Sequence, residues 1–180
     1  MNKKYELLVD DTITFFGWKL FRIKALISFG SVEAGELGGY VAKEGNLSHE
    51  GNAWVYDNAW VYGNARVSDN ARVYGNARVS DNAWVYGDAR VFDNARVYGD
   101  AEVCGDARVK SLKDYIVFKN NWSSGRYFTY TKSNKMWKAG CFYGAGQELI
   151  NEAYEDSENS GKHYEAYVKF VEMLEELENE

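Results

Sequence analysis

The side chains with the greatest chemical reach in this 180-residue chain are arginines and aromatics on a fixed spacing. Arg72, Arg90 and Arg108 stand 18 residues apart, with Trp54 a further 18 before them, and Tyr56, Tyr74 and Phe92 follow the first three of these positions two places on. A guanidinium offers carboxylate or phosphate a rigid fork of donors. Arg, Trp and Tyr are also the types enriched where a few residues carry most of a binding energy. Histidine is the side chain suited to general-base work near neutral pH, and the chain has only His49 and His163. Cys104 and Cys141 are too few for a disulfide framework, and with the two histidines they show no metal-ligand spacing. The pattern therefore points to recognition rather than bond-making, with no cofactor expected. Trp54, Tyr56, Arg72, Tyr74, Arg90, Phe92 and Arg108 are the candidate binding residues, and His49 is a weak candidate base. The same residues also suit a purely structural role, as charge ladders and ring stacks that stabilise a sheet.

These side chains sit in ten consecutive hexads from Gly51 to Lys110, each reading Gly/Asp–Asn/Asp–Ala–Xaa–Val–Xaa. Alanine and valine alternate with polar or aromatic positions, so they point to one side of a short strand and the Arg/aromatic positions to the other. The Gly-Asn or Asp-Asn pair supplies a corner, because these residues tolerate left-handed backbone. A unit this short cannot bury its apolar face alone and must stack on its neighbours. The first corner residue alternates between Gly and Asp from Gly51 to Asp93. Two hexads per coil would pile Asp57, Asp69, Asp81 and Asp93 into a like-charge ladder, whereas three set each Asp over a Gly. The spacing predicts a parallel β-helix of about 18 residues per coil, from the three-hexad count.

Val61-Tyr62-Gly63-Asn64-Ala65-Arg66 resembles the hexapeptide-repeat superfamily, whose fold is a left-handed β-helix. Leu20–Leu26, Gly35–Val41, Asn46-Leu47-Ser48 and Ala139–Gly144 are similar to segments of phage and prophage proteins of the YdcK type. The resemblance implies a mainly β protein: a left-handed parallel β-helix with a C-terminal α+β module, in a phage or mobile-element context. For hexapeptide acyltransferases it implies a histidine base and acyl-CoA held between coils. His49 would fill that role, but hexad register carried backwards puts it at the inward valine position, where a capping histidine is expected. No loop interrupts residues 51–110.

Three segments are expected: 1–50 as an N-terminal cap and first irregular coils, 51–110 as the regular helix, and 111–180 as a β-meander with two helices. Strands are expected at Tyr5–Val9 and Lys19–Ile27, then at Asp114–Lys119, Arg126–Lys132 and Lys135–Phe142. Helices are expected at Gln147–Tyr154 and from about Lys162 to Glu178, the second with an apolar face of Tyr164, Tyr167, Val168, Phe170, Val171, Leu174 and Leu177. Residues 111–146 carry six Lys/Arg against Asp114, and residues 147–180 carry eleven acids against Lys162 and Lys169. Arg126, Trp137 and Lys138 are candidate binding residues of the basic block, and Glu172, Glu175 and Glu176 of the acidic one. The two blocks are expected to face each other, and direct nucleic-acid contact is the less favoured reading of the first. The acidic helix could instead occupy a nucleic-acid groove on another protein, as an anti-CRISPR inhibitor of a host nuclease would. No apolar run reaches the length of a membrane span and no signal peptide is evident, so a cytoplasmic protein with a protein partner is expected. A homodimer or homotrimer also fits.

Overall fold

A computed structural model describes residues 3–180. It divides into two compact units, residues 3–116 with 131–134, and residues 117–130 with 135–180.

The first unit is a parallel β-solenoid of about four turns with about 18 residues per turn. Strands β1 (Tyr5–Phe15) and β2 (Trp18–Ala25) form an antiparallel hairpin around Phe16-Gly17, and β3 (Leu37–Val41) pairs with β2. The two sequence-expected strands are thus present, and the first runs on to Phe15. Ten two-residue strands follow, β4 to β13, each the Xaa–Val pair of one hexad. β4 (Trp54–Val55), β7 (Arg72–Val73), β10 (Arg90–Val91) and β13 (Arg108–Val109) form the first face. β5 (Trp60–Val61), β8 (Arg78–Val79) and β11 (Arg96–Val97) continue the sheet of β1, β2 and β3 as the second. β6 (Arg66–Val67), β9 (Trp84–Val85) and β12 (Glu102–Val103) form the third. Parallel register among the hexad strands is i to i+18, as in Trp54↔Arg72 and Arg72↔Arg90, whereas β3 joins β5 at i to i+20. The coil is three-sided, as the corner argument requires.

Every hexad alanine and valine is buried, so the lumen is lined by methyl groups. Burying one valine contributes about 1.5–3 kcal/mol, and the small alanine beside it lets opposite walls approach. Asp57, Asp69, Asp81 and Asp93 have φ between 53° and 59°, in the left-handed region that a corner demands. Their strain is offset by geometry: Asp57, Asp69 and Asp81 each accept, at 3.0 Å, the backbone N–H of Gly75, Gly87 and Gly99 one coil on. Charge-assisted bonds of this type are among the stronger ones. The second corner residues form amide ladders, Asn52 to Asn70 to Asp88 and Asn64 to Asn82 to Asp100.

An open coil end would leave backbone donors and acceptors unpaired. At the first coil Lys4 is buried, and its ammonium donates to the carbonyls of Ala53 at 2.9 Å and of Glu50 and Gly51 at 3.4 Å. Burial lowers its pKa from 10.5 to about 8. Gly38-Gly39 lies so close to the first coil that a Cβ on either would come within 2.5 Å of the carbonyl of Val55 or Ala59. At the last coil the turn 131–134 closes the edge. Ser133 Oγ accepts the Arg108 N–H at 2.7 Å, and Asn134 donates to Asp106 at 2.9 Å.

The second unit is built on an antiparallel sheet in the order β14 (Tyr115–Lys119), β15 (Tyr127–Thr131), β16 (Met136–Ala139), β17 (Phe142–Ala145), whose residues 115–116 and 131 belong to the first unit. The third strand expected from sequence is two strands, because Gly140 turns the chain at φ 59°. Helices α1 (Gly146–Asp156) and α2 (Glu158–Glu178) follow. α2 begins four residues before the expected start, capped by Ser157 Oγ, which accepts the Ser160 N–H at 3.0 Å. Gly161 does not break it; a Cβ there would lie 2.2 Å from the Tyr154 ring, so glycine is what lets the two helices close. Phe118, Phe128, Trp137, Tyr164 and Tyr167 form the aromatic core, with ring centroids 5.0–6.0 Å apart. Among the described residues no helix is long and apolar enough to cross a membrane.

Candidate functional site

Parallel register places Arg72, Arg90 and Arg108 side by side on the first face, all three exposed. Adjacent strands lie about 4.8 Å apart, so three like charges are held at close spacing. Among the described residues no carboxylate lies within ion-pair range of any of them. The corner aspartates are turned to backbone N–H groups, so the expected self-neutralising Arg–Asp ladder is not formed on this face. Next to the arginines runs a half-buried aromatic column. The Tyr74 and Phe92 rings stack at 5.1 Å and 7°.

Between these rows lies a groove of about 280 Å³ lined by Ser31, Tyr56, Asp57, Arg72, Tyr74 and Arg90. Ser31 Oγ and the Tyr56 hydroxyl lie 3.3 Å apart. The lining thus joins two guanidiniums and three hydroxyls, groups that suit carboxylates or phosphates, to the Asp57 carboxylate, which accepts the Gly75 N–H. Ser31 and Asp57 are members that sequence reasoning missed. In sequence Asp57 stands out only as a corner residue, and Ser31 lies in the non-repeating segment, where no period marks which side chains point outward.

Trp54 leaves the candidate set. It is fully buried, with Phe29 edge-on at 5.3 Å and Tyr5 at 6.0 Å, so it anchors the cap instead of heading the arginine column. The reason is that the N-terminal segment folds over the first coil. His49 belongs to the same cap. Its ring stacks on Tyr5 at 4.4 Å, its Nδ1 accepts the Lys4 N–H at 3.1 Å, and its Nε2 is 3.8 Å from the Glu44 carboxylate. The nitrogen that could take a proton is already occupied, which argues against a general base. The Tyr5 hydroxyl faces the carbonyls of Glu44 and Leu47, both at 2.8 Å, and burial together with Glu44 raises its pKa.

In the second unit Trp137 also leaves the set, being a buried member of the aromatic core. Lys138, one residue on and pointing the other way, donates to the Gly140 carbonyl, and the exposed Arg126 guanidinium lies over Gly140. Glu175 is drawn into structure: it accepts from the Tyr130 hydroxyl and pairs with Lys135 at 3.4 Å. Burial, then Glu175, raises the Tyr130 pKa. That pair realises at one point the expected facing of basic and acidic blocks. Glu172 and Glu176 remain exposed on α2.

The repeat also has a counterpart among known families. A family model described as YdcK beta solenoid repeat matches residues 59–72, 71–87 and 89–105. A search of curated proteins finds no match to the chain. The matched stretches lie within the coils that carry the Arg/aromatic rows, so this chain is a β-solenoid repeat protein whose repeat is similar to that of YdcK.

Proposed function

We propose that the chain is a non-catalytic binding protein of phage or mobile-element type, and that its first solenoid face engages an acidic surface of a protein partner. The observation that carries this reading is the column Arg72, Arg90, Arg108, held in register, exposed, and lacking a carboxylate partner among the described residues. Stacked like charges raise the energy of the free protein, and an acidic partner relieves that repulsion on binding. The neighbouring Tyr56, Tyr74 and Phe92 add flat apolar area at small entropic cost, as aromatic anchors do at interfaces. A host defence nuclease is the narrower reading of the partner. Its support is the resemblance to phage proteins together with the exposed carboxylates Glu172 and Glu176, which could compete for a groove that normally holds nucleic acid.

The test is capture of partners from host lysate on tagged protein, with and without nuclease treatment. Wild-type chain is expected to retain a stoichiometric, nuclease-resistant protein. Arg72→Glu/Arg90→Glu should lose it, while Arg66→Glu, on another face, should keep it. Capture of nuclease-sensitive material alone would replace the protein partner with nucleic acid. Equal capture by all variants would sink the assignment to this face.

A further inference from the structure

Helix α2 carries apolar side chains on two opposite sides. Tyr164, Val168 and Val171 are buried. At 100° per residue, Ala166, Phe170, Met173 and Leu177 fall on the far side of the helix, and they recur at intervals of four, three and four. Phe170, Met173 and Leu177 are 48%, 62% and 65% exposed. The helical spacing read from sequence groups Phe170 and Leu177 with the inward set; in the structure Leu177 points outward, and Phe170 is half-exposed with its ring edge-on to Phe118 at 6.3 Å. At the N-terminal end of the stripe a groove of about 450 Å³ opens, lined by Phe118, Trp122, His163, Ala166, Tyr167 and Phe170. Its lining is almost wholly apolar, and Trp122 stands 75% exposed at its edge. An alternating three-four spacing is the seam of a helix pair, in which apolar knobs enter holes on the facing helix.

We propose that this face is a self-association surface, pairing α2 with α2 of a second copy of the chain in antiparallel orientation. One register satisfies both seam and charge. It sets Ala166 against Leu177 of the second copy and Phe170 against its Met173, and two-fold symmetry repeats both layers. The large Leu177 then meets the groove at the smallest of its lining residues, Ala166. On one flank the same register brings Tyr167 to Leu174 of the second copy. On the other it brings Lys169, which pairs with Glu165 at 2.5 Å within its own helix, to the second copy's Glu176, an opposite-charge contact formed twice. A parallel pair would face Lys169 with Leu174 and leave Glu176 unmatched. A two-fold contact of this kind is self-complementary by construction. It uses none of the solenoid residues assigned above to partner binding, and shares only Glu176 with the narrower nuclease reading.

Sedimentation equilibrium of the full chain across a range of concentrations tests the pairing. Wild type is expected to move from monomer to dimer as concentration rises. Phe170→Glu, at an exposed position, should weaken the dimer at least tenfold. Lys169→Glu and Glu176→Lys should each weaken it several-fold, and the double variant Lys169→Glu/Glu176→Lys should recover most of the loss. Arg72→Glu/Arg90→Glu should leave the dimer unchanged. A chain that stays monomeric, a trimer, a dimer indifferent to Phe170→Glu, or charge variants that do not rescue each other would overturn the proposal.

Discussion

Arg78 and Arg90 occupy the same place in two different hexads, yet they live in different surroundings. Arg78 lies on the second face, where the β1–β2 hairpin brings Phe15 over it. Its guanidinium carbon is 4.9 Å from the centroid of the Phe15 ring and 4.2 Å from that of Trp60. Phe15 in turn packs edge-on against Trp60 at 5.0 Å. Arg90, on the first face, meets the groove and solvent. The repeat therefore determines where a side chain stands, and the non-repeating N-terminal segment determines whether it is drawn into packing or left exposed. On the first face the N-terminal segment covers Trp54, and Arg72, Arg90 and Arg108 stay exposed.

The largest expected effect lies on the bare face. Arg72→Glu/Arg90→Glu should reduce partner affinity at least a thousandfold, about 4 kcal/mol, with the unfolding midpoint unchanged. An unaltered affinity, read by titration calorimetry with the captured partner, would erase the distinction between the two faces. The next effect concerns the segment that does the covering. Lys4 has a folded pKa of about 8, below its ordinary 10.5. The unfolded chain therefore holds a proton that the folded chain has shed as pH climbs through that interval. Folding stability should rise by about 2 kcal/mol between about pH 7 and pH 10. Above that it should fall, because Tyr5 and Tyr115, the latter pushed up to about 12 by burial, resist the ionisation that the unfolded chain undergoes. Denaturant titrations in Lys4→Met should lose the rise and keep the fall.

A smaller effect separates the two arginines directly. Arg78→Ala should cost about 1–2 kcal/mol of stability through the lost ring contacts, against less than about 0.5 for the exposed Arg90→Ala. Equal costs in chemical denaturation would show that the hairpin does not use Arg78. Smallest is a corner change. Gly75→Asp would insert a carboxylate between those of Asp57 and Asp93 and press a Cβ to about 3.1 Å from the Asp93 amide nitrogen. About 1 kcal/mol should be lost at neutral pH, and part of it should return in acid as the carboxylates protonate.

Much of the solenoid was legible because its rules are local and repeated. Period two put alanine and valine inside, and the Gly/Asp alternation chose three sides over two. What was not legible depended on the parts without a period. Trp54 reads as a surface tryptophan by register and is buried because Phe29 and Tyr5 reach it from the non-repeating N-terminal segment. Trp137 could have been found: Trp137 and Ala139 alternate with Met136 and Lys138, the mark of a strand with one buried side. The outward stripe of α2 was also within reach, since Phe170 and Leu177 fall out of phase with Tyr164, Val168 and Val171 at helical spacing. An early start of α2 was hidden by Gly161, a helix breaker by propensity that is needed here to accommodate the Tyr154 ring.

The corners carry a rule of parity. Two alternating letters wound on a coil with an odd number of sides form a checkerboard, so neighbours in the stack always differ. Adding or removing two hexads preserves that checkerboard, whereas adding or removing one makes a fault in which Asp meets Asp or Gly meets Gly. The chain holds one such fault at its end, where Gly99 and Gly105 follow without an Asp between them and Gly87 stacks on Gly105. A solenoid of this kind can therefore change length cheaply only in steps of two hexads. Each such step also turns every later hexad onto a different side of the prism. Length variation in such an array would reshuffle which arginines share a column while leaving the interior untouched, giving new outer surfaces without a new fold.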